Sequence, residues 1–197
     1  NALCFHFQET DGGHLRKHEI KNVIQHYETL RQFHNKQKEY EDYLEWFKTL
    51  PLYFEDDDLS AVHACWDAKN IEFLRGKLVN NRLTDELIIE SVKLHTEFND
   101  VIEQTLKGKE IALPQNMSFT DKDGTLRKHM RVKWWEDPSK ATYKSYSVVP
   151  IESLPETQIE AASKSFYPHD DKPVFFGHYW LKGQPMLYRT NVCCLDY

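Results

Sequence analysis

The sequence lacks any apolar run close to the roughly 18 residues needed to span a bilayer, and its start lacks the basic-then-apolar pattern of a signal peptide. It also lacks an excess of positive charge, because 25 Lys and Arg face 31 Asp and Glu, for a net charge of −6. We therefore expect no membrane segment and no general binding to nucleic acids, whose backbone requires a broad cationic surface. An anionic substrate would have to be bound locally, and a metal ion is one means of doing so.

Cysteine is scarce and forms no recognisable pattern. The four cysteines, Cys4, Cys65, Cys193 and Cys194, include no C-x-x-C spacing of the kind that marks zinc or redox sites. The adjacent pair, Cys193 and Cys194, would point to opposite faces of a strand. We therefore expect reduced thiols and a cytoplasmic protein, with Cys65 as a buried thiol.

The bulk composition is that of an ordinary globular protein, with 40% hydrophobic and 28% charged residues. A chain of 197 residues can bury most of its surface, so a single domain over residues 1–197 is expected. The sequence has no initiator Met and begins within the apolar stretch NALCFHF. This predicts that a further N-terminal segment of the same fold precedes Asn1.

Apolar residues at helical spacing predict several helices. A long helix or a pair of helices is expected from Glu19 to Phe47, before Pro51, and one longer helix from Thr84 to Leu106, before Gly108. Shorter helices are expected at Lys69 to Arg75 and around Ile159.

Alternating or compact apolar runs bounded by turn residues predict strands. A hairpin around the acidic turn Glu55-Asp56-Asp57-Asp58 would have its second strand end at His63, and Gly177-His178 would stop a later strand. The predicted strands are Leu52 to Phe54, Leu59 to Val62, the alternation through Met130, Val132 and Trp134 after the turn Asp121-Lys122-Asp123-Gly124, Pro173 to Phe176, Pro185 to Tyr188, and Val192 to Leu195.

Two histidines, His63 and His178, directly follow predicted strands. Neutral imidazole is a good ligand for borderline divalent metals, and a packed sheet fixes the geometry of ligands at its strand ends. Taken alone, each histidine fits a hydrogen-bonded structural role better than a ligand role, because the chain has ten histidines. Their position makes them candidate metal ligands but does not distinguish a metal-binding role from a structural one.

Short motifs around these histidines resemble those of a known family. VHACWD at 62–67, WWEDP at 134–138 and FFGHYW at 175–180, in this order and with NVCCLDY at 191–197, resemble the calcineurin-like metallophosphoesterases. Within that superfamily the resemblance is to bacterial relatives of diadenosine tetraphosphatases and serine/threonine protein phosphatases. The family's H-[AG] motif matches His63-Ala64 and its G-H motif matches Gly177-His178, which implies that both histidines bind the same metal ion.

The resemblance implies an α/β fold, part of a two-sheet sandwich flanked by helices, with a helical N-terminal stretch and a helical insertion. It also implies hydrolysis of phosphate esters or nucleotide polyphosphates by a metal-bound hydroxide at two metal ions, roughly 3.5–4 Å apart. Mn²⁺ is the expected metal, with Fe and Zn as alternatives. The substrate would be a phosphorylated small molecule, a nucleotide or a phosphoprotein.

The family's other ligand motifs, D-x-H, G-D-x-x-D-R-G and G-N-H-E, do not occur in the sequence. The resemblance therefore implies that residues 1–197 are the C-terminal portion of a catalytic domain, completed by a missing N-terminal segment. The 197-residue chain alone is expected to bind metal weakly and to hydrolyse nothing.

Four further residues are candidates for substrate contact by this resemblance. Arg131 precedes Glu136-Asp137-Pro138 and Lys144 follows it, so either residue could bind phosphate. The planar guanidinium group favours Arg131, and the position in the sequence favours Lys144. The alternative is that both are solvated surface charges. Tyr179 and Trp180 replace the second histidine of the family's G-H-x-H form and could stack on a planar leaving group, or simply pack in the core.

An alternative from a different class is a non-catalytic binding or regulatory module that has lost the N-terminal metal motifs. A second open feature is the cluster of His14, His18 and His26 with Arg16 before and on the first predicted helix. This cluster could contact substrate or the missing N-terminal segment, or be a solvated, helix-capping surface.

Overall fold

The structure is a computed structural model that describes residues 2–9, 11–121, 124–159 and 166–197. It has a mixed α/β fold, which confirms the predicted class. The chain divides into two compact units, one of Asn1–Pro51 with Leu78–Asn99 and the other of Leu52–Lys77 with Asp100–Tyr197. The single domain expected from the sequence stays a prediction.

Helices occupy both units and match most of the helical periodicity. Among the described residues no helix is both long and apolar enough to cross a membrane. The α-helices of this part of the chain are α1 (Ala2–His6), α2 (Ile20–Phe33), α3 (Gln37–Lys48), α4 (Ala68–Lys77), α5 (Asp85–Ser91), α6 (Glu97–Lys107) and α7 (Tyr143–Tyr146), with a 3₁₀ turn at Pro138–Lys140.

Of the two alternatives predicted for Glu19 to Phe47, one long helix or a pair, the structure has the pair, α2 and α3. The short helix predicted at Lys69 to Arg75 is confirmed by α4. The single helix predicted from Thr84 to Leu106 is wrong, because α5 ends at Ser91 and α6 begins at Glu97. His95 adopts a left-handed φ of 63° between them, and the Thr96 hydroxyl accepts a hydrogen bond from Asn99 N at 3.2 Å, as an N-cap does. The apolar periodicity continues across this break and therefore concealed it.

The second unit contains a five-stranded mixed sheet of order β1-β2-β7-β9-β8, together with two short two-stranded ladders, β3-β6 and β4-β5. The strands β2, β7 and β9 run parallel to one another, while β1 and β8 pair antiparallel at the two edges. The bounds are β1 (Tyr53–Glu55), β2 (Ser60–Val62), β3 (Glu110–Ala112), β4 (Phe119–Thr120), β5 (Leu126–Arg127), β6 (His129–Arg131), β7 (Val174–Phe176), β8 (Leu187–Arg189) and β9 (Val192–Cys194).

The predicted hairpin around the acidic turn, the strand before Gly177 and the two closing strands are confirmed by β1-β2, β7 and β8-β9. The predicted strand through Trp134 is shorter, because β6 ends at Arg131 and backbone turns follow, with Trp134 N donating to Val132 O at 2.9 Å. Two further predictions involve residues outside the described ranges. The turn predicted at Asp121 to Gly124 includes Lys122 and Asp123, and the helix predicted around Ile159 would include residues from 160–165, and neither of these two stretches is described.

Aromatic side chains form the centre of the sheet unit. Trp134 and Trp135 are almost completely buried and contact Phe176 of β7 with ring centroids 5.0 and 4.8 Å away. A neighbouring cluster covers the β3-β6 ladder with buried apolar residues. Its buried members are Leu113, Met130, Val132, Tyr143, Tyr146, Leu154 and Ile159.

Gly108 follows α6 in a left-handed conformation, with a φ of 93°, where glycine has no steric penalty. A Cβ at this position would lie 2.4 Å from the hydroxyl oxygen of Tyr179 and 3.0 Å from two of its ring carbons. Gly108→Ala is therefore expected to lower the unfolding free energy by about 1–3 kcal/mol, through backbone strain and displacement of a buried ring. The measurement is denaturant unfolding of Gly108→Ala and of Gly76→Ala, since a Cβ added at Gly76 meets no atom within 4 Å. Equal losses of unfolding free energy in the two variants would contradict the prediction.

Asp67, at the end of the VHACWD motif, joins two parts of the sheet unit. Its carboxylate accepts hydrogen bonds from Lys69 N and Asn70 N, which begins α4, and its Oδ2 lies 3.1 Å from Lys109 Nζ. Burial acts to raise the pKa of Asp67, but the attraction of Lys109 and these hydrogen bonds outweigh burial and hold that pKa below its ordinary value.

Asp67→Asn is therefore expected to destabilise the protein by about 1–3 kcal/mol at pH 7, since the amide can still cap α4 but cannot pair with Lys109. A depressed carboxyl pKa stabilises the folded state above the unfolded pKa of roughly 3.9 and ceases to do so as pH falls through the folded value. The difference between the two proteins should thus shrink below about pH 4. A denaturation series from pH 7 to pH 3 that showed a constant difference would disprove this role.

Candidate functional site

Three polar side chains follow the carboxyl ends of the three neighbouring parallel strands. His63 comes directly after β2, His178 two residues after β7, and Asp196 two residues after β9. Because the carboxyl ends of parallel strands lie at the same edge of a sheet, these residues belong to one edge, the place where open α/β sheets bind ligands. We call His63, His178 and Asp196 the strand-end group.

Backbone hydrogen bonds tie the three strand ends together beyond the sheet itself. Gly177 N donates to His63 O at 3.0 Å, Leu195 N to Phe176 O at 2.7 Å, and Leu181 N to Asp196 O at 3.0 Å. These bonds fix the backbone on each side of the strand-end group, so its side chains project from a constrained frame.

The segment after His63 is held from two further directions. Ala64 N donates to Thr105 O near the end of α6 at 3.1 Å, and Trp134 Nε1 donates to Ala64 O at 2.9 Å. Ala64 is fully buried. The VHACWD and WWEDP motifs thus meet at this hydrogen bond, which keeps the backbone next to His63 in place.

The two predicted ligands are brought together. The imidazole rings of His63 and His178 have centroids 5.0 Å apart and are tilted by 58°. His178 adopts a φ of 74°, a left-handed conformation that is uncommon outside glycine and is often retained where a site requires it. The prediction that they lie at one place holds, while their role as metal ligands stays a prediction.

The environment of the two rings favours their neutral forms. Burial lowers the pKa of His63, while Asp196 acts in the opposite direction. Burial, the positive charge of Arg131 and the neighbouring His63 lower the pKa of His178 from 6.5 to about 4, although Asp196 opposes them. Near pH 7 both imidazoles are therefore neutral, which is the form that binds metals.

Asp196 was not among the residues predicted from the sequence, although the same signal that selected the histidines applies to it. NVCCLDY contains a strand followed by an acidic residue, and β9 pairs with β7, the strand that precedes His178. Its carboxylate influences the pKa of both histidines. Strand order, which the sequence did not provide, was needed to bring it to the same edge.

The two candidate phosphate-binding cations have different surroundings. Arg131 lies at the end of β6, 3.7 Å from Glu110, and its charge reaches His178. It lines two cavities of about 510 and 400 Å³, which also share Arg127. Lys144 lies in α7 and pairs with Glu156 at 3.2 Å. The electrostatic effect on His178 thus connects Arg131, rather than Lys144, with the strand-end group.

The aromatic pair after His178 is divided between interior and surface. The Tyr179 ring packs against Trp135 and Phe176, with centroids 5.7 and 5.6 Å away, and its hydroxyl is buried. This is the core packing that the sequence allowed beside a stacking role. Trp180 is 74% exposed and remains accessible to a ligand.

The fit of these residues to a metal can be judged from their donor atoms. In residues 2–9, 11–121, 124–159 and 166–197 no group of three or more His, Cys, Asp and Glu side chains is placed to hold a metal ion. Cys65 is buried, and burial raises its thiol pKa, so it is not a thiolate ligand. The two neutral imidazoles fit part of a coordination shell, and further ligands are needed to complete it.

Comparison with known protein families, with characterised proteins and with solved structures found no match to this chain.

Proposed function

We propose that the chain is the C-terminal part of a phosphate-ester hydrolase of the metallophosphoesterase type, with a two-sheet sandwich completed by a preceding N-terminal segment. The observation that carries the proposal is the meeting of His63 and His178 at the ends of two adjacent parallel strands, with ring centroids 5.0 Å apart. The motif resemblance requires this meeting, and motif spacing alone does not produce it, because 114 residues separate the two histidines.

His63 and His178 would each contribute a neutral ring nitrogen to one divalent ion, and the hydrogen bonds at the strand ends would keep the two rings oriented. Bound Mn²⁺, with Fe or Zn as alternatives, supplies Lewis acidity toward the phosphoryl oxygens and lowers the pKa of bound water. Asp196 would hold the local field negative, which offsets the positive charge of Arg131 near His178.

Arg131 would bind the substrate phosphate. Its guanidinium group is planar and always charged, and it can form paired hydrogen bonds with phosphate oxygens. Glu110 lies 3.7 Å away, beyond a close ion pair, so a phosphate can compete for Arg131. The cavity of about 510 Å³ beside it, which Phe119 and His129 also line, would accept the leaving group. A nucleotide, a phosphorylated small molecule or a phosphopeptide fits this description.

The direct experiment is a hydrolysis panel with the full-length protein and Mn²⁺, including diadenosine tetraphosphate, a phosphopeptide and a simple phosphate monoester. Metal-dependent phosphate release from at least one substrate class is expected, and the purified 197-residue chain should be inactive. Activity in that chain alone would contradict the division of the site, and a full-length protein that is folded, metal-loaded and inactive throughout would contradict the function.

A second candidate function is a non-catalytic binding or regulatory module. The lack of a three-ligand group in the described part of the chain is what favours it. The two proposals differ in the gene that encodes the parent protein: D-x-H and G-N-H-E motifs upstream of Asn1 support the enzyme, and a start codon close to Asn1 supports the module.

A further inference from the structure

The first unit contains a second group of histidines, which the proposed function does not use. His6 at the end of α1 and His26 in α2 face each other, with their Nε2 atoms 3.3 Å apart. The hydroxyl of Tyr40 in α3 lies 2.8 Å from the same His26 Nε2 atom. Three polar atoms from three helices therefore converge around His26.

His26 Nε2 cannot pair well with both of its neighbours at once. A neutral imidazole Nε2 carries either one proton or one lone pair, so His26 Nε2 can form one good hydrogen bond at a time. With Tyr40 at the shorter distance, the imidazole of His6 is left with the poorer partner. The 3.3 Å separation is also longer than the usual N–H hydrogen bond of about 2.9–3.0 Å.

The same separation suits a shared metal ion. Two nitrogens bound at about 2.0–2.1 Å in tetrahedral geometry lie roughly 3.3–3.4 Å apart. Imidazole nitrogen suits Zn²⁺ and its chemical neighbours, and two histidines form half of such a shell, with water able to complete it. We propose that His6 and His26 bind a borderline divalent cation of the zinc class through their Nε2 atoms, separately from His63 and His178.

The surroundings of this pair affect both proton and metal binding. Burial, with His26, His18 and His14 nearby, lowers the pKa of His6 from 6.5 to about 4, and burial also lowers the pKa of His26. The charge of Arg16 opposes a cation, but the first unit carries nine Lys and Arg against twelve Asp and Glu, so its overall field is attractive.

A cavity in the same unit reaches His26, one member of the pair. His26 and Tyr40 line a cavity of about 360 Å³, together with Phe33 and Tyr43. Tyr40 is almost completely buried, and burial raises its pKa, so it stays a protonated phenol and competes for His26 rather than acting as a ligand. A binding constant in the micromolar range, weaker than that of a four-ligand structural zinc site, is the expected consequence.

The test is calorimetric titration of the tag-free 197-residue chain with ZnCl₂ at pH 7, in four versions. H6Q/H26Q removes the proposed ligands but keeps hydrogen-bonding side chains. H34A/H169A removes two exposed histidines as a matched control, and H63A/H178A removes the strand-end pair. Circular dichroism verifies that each version retains its helices.

We expect one zinc ion to bind to the parent, H34A/H169A and H63A/H178A with similar affinity, and the dissociation constant to rise at least tenfold in H6Q/H26Q. Retained binding in folded H6Q/H26Q would overturn the inference, as would a loss in H34A/H169A of the same size. Binding lost only in H63A/H178A would also overturn it, while leaving the proposed hydrolase function in place.

Discussion

Replacing His178 by alanine in the full-length protein is expected to reduce metal-dependent phosphate release at least roughly 100-fold, because even residues that only support a metal ligand typically contribute 10–100-fold. His63→Ala should reduce it similarly, since both rings lie at one strand-end group. Initial rates on the best substrate of the panel, at saturating Mn²⁺, provide the measurement.

The left-handed backbone at His178 requires a second variant. Alanine is strained at a φ of 74°, whereas glycine adopts it freely. His178→Gly should therefore lose activity as completely as His178→Ala while unfolding at a denaturant concentration closer to that of the parent. His169→Ala, at an exposed histidine of the same unit, is the matched control and should retain the parent rate. Activity retained in His178→Gly would contradict a ligand role for the imidazole.

Trp134→Ala is expected to lower the unfolding free energy by about 3–5 kcal/mol, which is a large part of the total stability of a domain of this size. The side chain is 2% exposed, contacts the rings of Trp135, Tyr167 and Phe176, and donates its N–H to Ala64 O at 2.9 Å. Its loss leaves a cavity and an unsatisfied buried carbonyl next to His63.

The control for this substitution is Trp180→Ala, at a tryptophan that is 74% exposed. Surface substitutions usually change stability by less than about 0.5 kcal/mol. Urea unfolding of both variants, with tryptophan fluorescence and circular dichroism as probes, separates the two cases. Equal destabilisation of the two variants would show that Trp134 is not the centre of the core.

Local patterns in the sequence predicted the strands of the site well. The Val62-His63 and Phe176-Gly177 boundaries lie where an apolar run meets a turn, and β2 and β7 end there. The identity of the side chains at those strand ends could therefore be predicted from the sequence. The pairing of the strands could not be predicted in this way, because strands of three residues carry little information about their neighbours. Asp196 therefore joined the strand-end group only through the observed pairing of β9 with β7.

Other features depended on contacts that a one-dimensional pattern does not contain. His95 lies in the break between α5 and α6, and neither a glycine nor a proline marks this break in the sequence. The approach of His6 to His26 depends on how α1 and α2 pack, and the sequence pattern grouped His26 with His14 and His18 instead. Tyr179 is adjacent to an exposed tryptophan, yet it lies against Trp135, a residue more than 40 positions away. Packing decided each of these cases.

The most direct measurement is the metal content of the full-length protein, determined by elemental analysis after exhaustive dialysis, in the parent and in His63→Ala and His178→Ala. A shared ion predicts that the two variants lose the same metal to the same extent, with the folded structure retained. Metal content equal to that of the parent in both variants would contradict the hydrolase site, and loss in only one of them would contradict the sharing of a single ion.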